Sequence, residues 1–199
     1  MRKSLLSLLL FTAFFATAQT DKKNITLEDI WKDYTFRVKS VPGFNALQDG
    51  KRYTQIDKEG ERQWIRVYGL EKGKKEKELF DNSRHLFDGN KITVASYAFS
   101  ADEKKMLLFT EIKPVYRRSM QSKVYVFDIK SGALQLLDTT HVLHASFDPK
   151  GTRVAFVKDN NLYYRDLGTG KTTTITNDGK KNEIINGNCD WVYEEEFQF

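Results

Sequence analysis

With a single cysteine, Cys189, in 199 residues, the chain can form no internal disulfide, so the fold must be held by packing or by sequence outside it. No histidine stands near Cys189 to activate a thiolate, and a lone cysteine of this kind reads as a small hydrophobe. Histidine is scarce as well, at 3 residues. His141 and His144 lie three apart with Asp138 and Asp148 nearby, but strand alternation puts them on opposite faces, and a zinc site needs further ligands, so no metal is expected. There is no Gly-x-Ser-x-Gly elbow and no histidine placed to activate a nucleophile, which excludes acyl hydrolysis by these residues alone. The formal charge is +5, yet the lysines are scattered through turns such as Lys104-Lys105 and Lys180-Lys181. Nucleic acid would need a basic stripe with stacking aromatics, and none is present.

Long apolar runs are confined to one place. Residues 5–15, broken only by Ser7 and Thr12, follow Arg2 and Lys3 and precede Ala16-Thr17-Ala18. That order describes a secretory signal peptide over residues 1–18, cleaved before Gln19 and too short for a membrane anchor. The mature protein, at a formal charge of +3, is expected to be exported to the periplasm or the extracellular space. With no lipid-attachment cysteine after the cleavage site, it is expected to be soluble.

Aromatics are plentiful, with 14 Phe and 9 Tyr, which suits half-buried sheet faces. The most regular stretch runs from Phe147 to Lys171. The turn Asp148-Pro149-Lys150-Gly151 leads into Val154-Ala155-Phe156-Val157, then the hairpin turn Asn160-Asn161, then Leu162-Tyr163-Tyr164, and Gly168-Thr169-Gly170 closes the unit. The pattern occurs earlier as Phe99-Ser100-Ala101-Asp102, Met106-Leu107-Leu108-Phe109, Val124 to Ile129 and Ser131-Gly132. The offset is 48 residues from Phe99 to Phe147 but 38 from Gly132 to Gly170, which implies a ten-residue insertion within residues 110–123 of the earlier copy. A weaker copy has Asp49-Gly50, a strand at Tyr53-Thr54-Gln55-Ile56, and a second at Trp64-Ile65-Arg66-Val67-Tyr68, whose half matches the last unit at an offset of 97. Sheet units of roughly 40 to 50 residues are the sign of β-propeller blades. The alternative from periodicity alone is a β-sandwich whose hairpins resemble one another by composition.

The expected architecture is therefore all-β, an incomplete propeller of about three blade-like units after a short N-terminal helix. Residues 19–48 form the lead-in, with Thr26 as N-cap, Asp29 at the reciprocal position, and Leu27, Ile30 and Trp31 as an apolar face. The propeller portion is expected over residues 49–199, with residues 71–90 as a charged connector and residues 92–97 opening the second sheet. Asn177-Asp178-Gly179 reads as a hairpin or blade-to-blade turn. Three units are too few to close a ring, so the 199 residues are expected to be the front of a longer protein.

Two stretches could carry chemistry. Glu194-Glu195-Glu196 lies between Tyr193 and Phe197, and adjacent carboxylates repel unless a cation relieves them. In a strand Glu195 and Glu196 would point to opposite faces, whereas in a helical turn they splay by about 100° and both reach one ammonium group. A binding role thus requires a short helix here. Arg117 and Arg118 fall in the ten-residue insertion, and blade insertions map to loops that commonly form a binding face.

The segment Asp190-Trp191-Val192-Tyr193-Glu194-Glu195-Glu196 resembles the N-terminal propeller region of the dipeptidyl peptidase IV family of serine exopeptidases. In that family the last two glutamates hold the substrate's free α-amine, which the resemblance places on Glu195 and Glu196, with Glu194 as their neighbour. Tyr116-Arg117-Arg118-Ser119 is similar to the family's aromatic-Arg-His-Ser loop, so the arginine that approaches the substrate carbonyl is Arg117. The departure is Arg118 in the histidine position. The resemblance implies an eight-bladed propeller followed by an α/β-hydrolase domain with a Ser-Asp-His triad, and removal of dipeptides from peptide N-termini. The partners implied are peptides with a free N-terminus, the hydrolase domain these residues do not contain, and a second copy of the parent chain as a homodimer. No cofactor, metal or nucleic acid is implied, and this portion, with no catalytic residue of its own, is expected to be inactive alone. A non-catalytic secreted propeller that binds a basic partner is the alternative.

Overall fold

Each sheet of the protein folds from an unbroken stretch of chain, four strands at a time. The computed structural model describes residues 24–38 and 43–197, in two units spanning residues 1–41 and 42–199. The signal segment expected over residues 1–18 lies outside the described residues. In the first unit, helix α1 (Leu27–Trp31) opens on the expected capping box. Thr26 Oγ1 accepts from Asp29 N at 3.1 Å, and Asp29 Oδ2 accepts from Thr26 N at 3.1 Å, so two of the orphan amides at the helix start are satisfied reciprocally. Among the described residues no helix is long and apolar enough to cross a membrane.

The second unit contains three antiparallel meanders. The first is β1 (Phe44–Ala46), β2 (Arg52–Glu59), β3 (Arg62–Gly69) and β4 (Lys75–Asp81). The second is β5 (Ser96–Phe99), β6 (Lys105–Pro114), β7 (Met120–Asp128) and β8 (Leu134–Leu136). The third is β9 (Leu143–Phe147), β10 (Arg153–Lys158), β11 (Asn161–Asp166) and β12 (Thr172–Thr174). In each, spatial order follows sequence order, as in the blades of a propeller, and the three do not close a ring.

The middle sheet explains why this is not a two-layer sandwich. Alternate residues of a strand face opposite sides, and here both sides are core. Met106, Leu108, Tyr125 and Phe127 join Ile65, Phe80, Ile92 and Val94 in a cluster against the first sheet. The intervening Leu107, Val124 and Val126 join Leu137, Val142, Ala145, Val154 and Phe156 in a cluster against the third. Burial on two faces requires a near-continuous apolar run, which is what Met106-Leu107-Leu108 and Val124-Tyr125-Val126-Phe127 supply.

Several boundaries differ from expectation. Residues 75–81 are not connector but the fourth strand of the first sheet. An outer strand tolerates Lys75, Glu76 and Lys77 on its open edge, while Phe80 at its far end is fully buried. The first sheet also begins at Phe44, ahead of the expected limit at residue 49. The second begins only at Ser96, because Ile92 and Val94 are held by side chains instead of a strand neighbour, and Ala95 N is the first amide to reach β6, at Phe109 O (2.9 Å). The buried amide of Gln63 accepts from Val94 N at 2.8 Å and donates to Val94 O at 3.2 Å, standing in for a backbone partner. The hairpin turn of the third sheet is shifted one residue, to Asp159-Asn160. Both have positive φ (49° and 58°), as a two-residue type I′ turn requires, and Lys158 pairs with Asn161 across it. Beyond β12, residues 177–179 start no further strand, and an isolated bridge between Lys180 and Ile184 precedes helix α2 (Trp191–Glu195).

Candidate functional site

The ten extra residues of the second unit lengthen the hairpin between β6 and β7. The ladder, after a bulge between Thr110 and Lys113, runs on to the Pro114–Met120 pair, making an arm tipped by residues 115–119. The tip is drawn closed by Ser119 O, which accepts from Val115 N at 2.8 Å and Tyr116 N at 3.3 Å. The amides of Arg117, Arg118 and Ser119 are thereby left without a ladder partner, and all three are directed at α2.

The short helix that a binding role for the glutamates demanded is present. Asp190 is its N-cap, accepting from Tyr193 N at 3.0 Å. Glu194 lies in its first turn, and Glu195 and Glu196 follow at its C-terminal end, where the helix dipole disfavours negative charge and no basic residue of the helix offsets it. Relief comes from the arm, and each glutamate is treated differently. Glu194, only 3% exposed, accepts at Oε1 from Ser119 N at 2.6 Å and from Arg118 N, and at Oε2 from the Ser119 hydroxyl. Burial pushes its carboxyl up, but the hydroxyl and the two amides outweigh it, so the group stays ionised with its pKa below the usual value. Glu195, partly buried, accepts from Arg117 N at 2.7 Å through Oε1 and pairs with Arg117 Nε at 2.9 Å through Oε2. Glu196 caps the C-terminus, exposed, and among the described residues its carboxylate meets no donor.

The structure thus joins Arg117 to Glu195 and sets Glu196 on the next position around the same turn. Glu194 is buried by the polar arm tip and not by its aromatic neighbours, since the Tyr193 and Phe197 rings, 5.7 Å apart, are both about half exposed. Beside the arm tip a cleft of about 440 Å³ is lined by Arg118, Ser119, His144, Gly187, Asn188 and Glu194, among others. His144, at φ 53°, brings Nε2 to 2.7 Å from Asn188 Oδ1, and Ser119 Oγ lies 3.3 Å from the same oxygen. His141 sits elsewhere, with Nε2 3.4 Å from Glu111 Oε2, so the two histidines share no site. Cys189 is exposed. In the sequence, Tyr116-Arg117-Arg118-Ser119 points to its arginine, with no role marked for Ser119 or for Asn188. Ser119 meets Glu194 across 75 residues, a separation on which no local spacing rule bears.

Comparison with known proteins bears on the same elements. The family description for the dipeptidyl peptidase IV (DPP IV) N-terminal region matches residues 100–199, which include the arm and α2. A probable dipeptidyl-aminopeptidase B of Aspergillus fumigatus is 32% identical over 201 aligned residues, covering 93% of this chain and 21% of that protein. One from Phaeosphaeria nodorum is 41% identical over 101 residues, covering 49% and 11%. Among solved structures, Porphyromonas gingivalis dipeptidyl peptidase 4 superposes with a TM-score of 0.79 at 31% identity, covering 90% of this chain and 26% of that one. The chain spans 21% of the length of the A. fumigatus relative.

Proposed function

The chain belongs to the dipeptidyl peptidase IV family, and on that premise we propose that Glu195 and Glu196 bind the free α-ammonium group of a peptide substrate while Arg117 faces its first carbonyl. The observation that carries this reading is the carboxylate arrangement at the end of α2. One negative group, Glu194, is consumed internally and a second, Glu195, is oriented by Arg117, while the third, Glu196, meets no cation among the described residues. An ammonium group seated between Glu195 and Glu196 would relieve their repulsion and receive charge-assisted hydrogen bonds.

Fixing the amine fixes how far the peptide enters. The bond after the second residue then meets the nucleophile, and dipeptides are released because the amine site acts as a ruler. The residues described here contribute binding and register. In this proposal the acyl chemistry is performed by a Ser-Asp-His triad in an α/β-hydrolase domain of the full-length gene product. The product is exported, residues 1–18 serving as its signal peptide, so the mature N-terminus would be Gln19.

The test is turnover of a dipeptidyl p-nitroanilide by the full-length gene product carrying Glu195→Gln or Glu196→Gln. Removing one partner of a desolvated charge pair costs about 2–5 kcal/mol, so kcat/KM should fall by about 30-fold or more in each. Wild-type values in Glu196→Gln would overturn the amine assignment.

A further inference from the structure

We propose that Glu194 is the positioning residue of this site: it clamps the tip of the hairpin arm onto α2 and thereby sets where Arg117 meets Glu195. The inference rests on the amine-binding reading of Glu195 and Glu196. Three successive backbone amides, those of Arg117, Arg118 and Ser119, end on two adjacent carboxylates, making a small anion-holding nest. Glu194 takes two of the three amides and the Ser119 hydroxyl, so each of its oxygens is engaged with the arm. The Arg117 side chain, by contrast, is 58% exposed, and among the described residues its guanidinium pairs with Glu195 alone. Its backbone is held on its C-terminal side by Glu194. The clamp extends to the third sheet, because Ser119 Oγ and His144 Nε2 converge on Asn188 Oδ1. A loss at Glu194 would let the tip slide relative to α2 and carry Arg117 away from Glu195.

The measurement is kcat/KM of the full-length gene product on a dipeptidyl p-nitroanilide, with Glu194→Ala, Glu194→Gln, Ser119→Ala and Glu196→Gln compared, and Arg117→Ala as a second background. Displacement of a binding group by about 1 Å costs on the order of 100-fold, so Glu194→Ala should lose about 10- to 100-fold. Glu194→Gln keeps an oxygen for the two amides and should recover most of that loss. Because Glu194 acts through Arg117, Glu194→Ala should cost little more once Arg117 is alanine, whereas a residue serving only general stability would give additive losses. Should Glu194→Ala fail to fold, Ser119→Ala, which deletes only the hydroxyl, is taken through the same cycle. Additive losses, or wild-type kcat/KM in Glu194→Ala or Ser119→Ala while Glu196→Gln is impaired, would overturn the clamp and leave the amine reading intact. Wild-type kcat/KM in Glu196→Gln would overturn the amine reading, and this inference with it.

Discussion

Replacing Gly187 by alanine tests whether the acidic helix is held in place by the shape of the third sheet. Gly187 has φ 74°, and a Cβ built on it would lie 2.7 Å from Val157 Cγ2 and 3.4 Å from Leu162 Cδ1. Val157 is a β-branched residue 2% exposed in β10 and cannot swing aside. The backbone cannot easily retreat either, since Asn186 N and Nδ2 both donate to Asn160 O at 3.1 Å. Gly50 supplies the control, with φ 64° and nothing within 4 Å of its added Cβ. Alanine at Gly50 therefore costs only the left-handed conformation, about 1–2 kcal/mol. Alanine at Gly187 adds an overpacking cost of about 1–3 kcal/mol. At roughly 2–4 °C per kcal/mol for a domain of this size, Gly187→Ala should melt about 2–12 °C below Gly50→Ala by circular dichroism. Val157→Ala should be less damaging in the Gly187→Ala background than alone, because it removes the clashing methyl. Equal melting temperatures for the two glycine variants, or strict additivity with Val157→Ala, would refute the argument.

Two further outcomes follow from the core and the charges. Phe156, 1% exposed and stacked on Tyr163 at 5.6 Å, should cost about 3–5 kcal/mol on truncation to alanine in urea unfolding, whereas the half-exposed Phe44 should cost far less. Burial pushes the Asp81 carboxyl up, but the hydrogen bond and charge of Arg62, with Nη2 at 2.7 Å, and the bonds from Ser83 hold it well below the usual carboxylate range. Hydrogen bonds from the Ser100 hydroxyl and Lys104 hold Asp102 down to about 2. A carboxylate whose folded pKa lies below its unfolded value stabilises the fold above about pH 4 and loses that contribution as pH falls through the folded value. The melting temperature should therefore drop between pH 4 and pH 2, and less steeply in Asp81→Asn. A flat profile in the wild type would count against these assignments.

Much of the sheet architecture was legible because it is written in local chemistry. Thr26 and Asp29 are three apart and close their capping box as the spacing requires. The four-residue apolar runs of β6, β7 and β10 mark strands with buried residues on both faces. What escaped was either degenerate or distant. Lys75-Glu76-Lys77 reads equally as loop or as the open edge of a blade, and only Phe80, docked on Phe127 at 5.3 Å, decides for the strand. Asp159-Asn160 and Asn160-Asn161 are both acceptable turn pairs, and the register of Val157 against Leu162 selects the first. At the site, the need for a helical turn under Glu195 and Glu196 followed from geometry. The division of labour among the three glutamates did not, because it is imposed by an arm whose tip lies more than 70 residues upstream.

That distance sets an order of events during folding. Each meander closes through neighbours in sequence, so its loop-closure cost is small and its strands can pair as soon as they are made. The contacts of Arg117, Arg118 and Ser119 with α2 bridge 75 to 78 residues, with the whole of the third sheet lying between them in sequence. The pairing of Arg117 with Glu195 thus comes late relative to the closure of the three meanders, once α2 meets an arm 78 residues away in sequence.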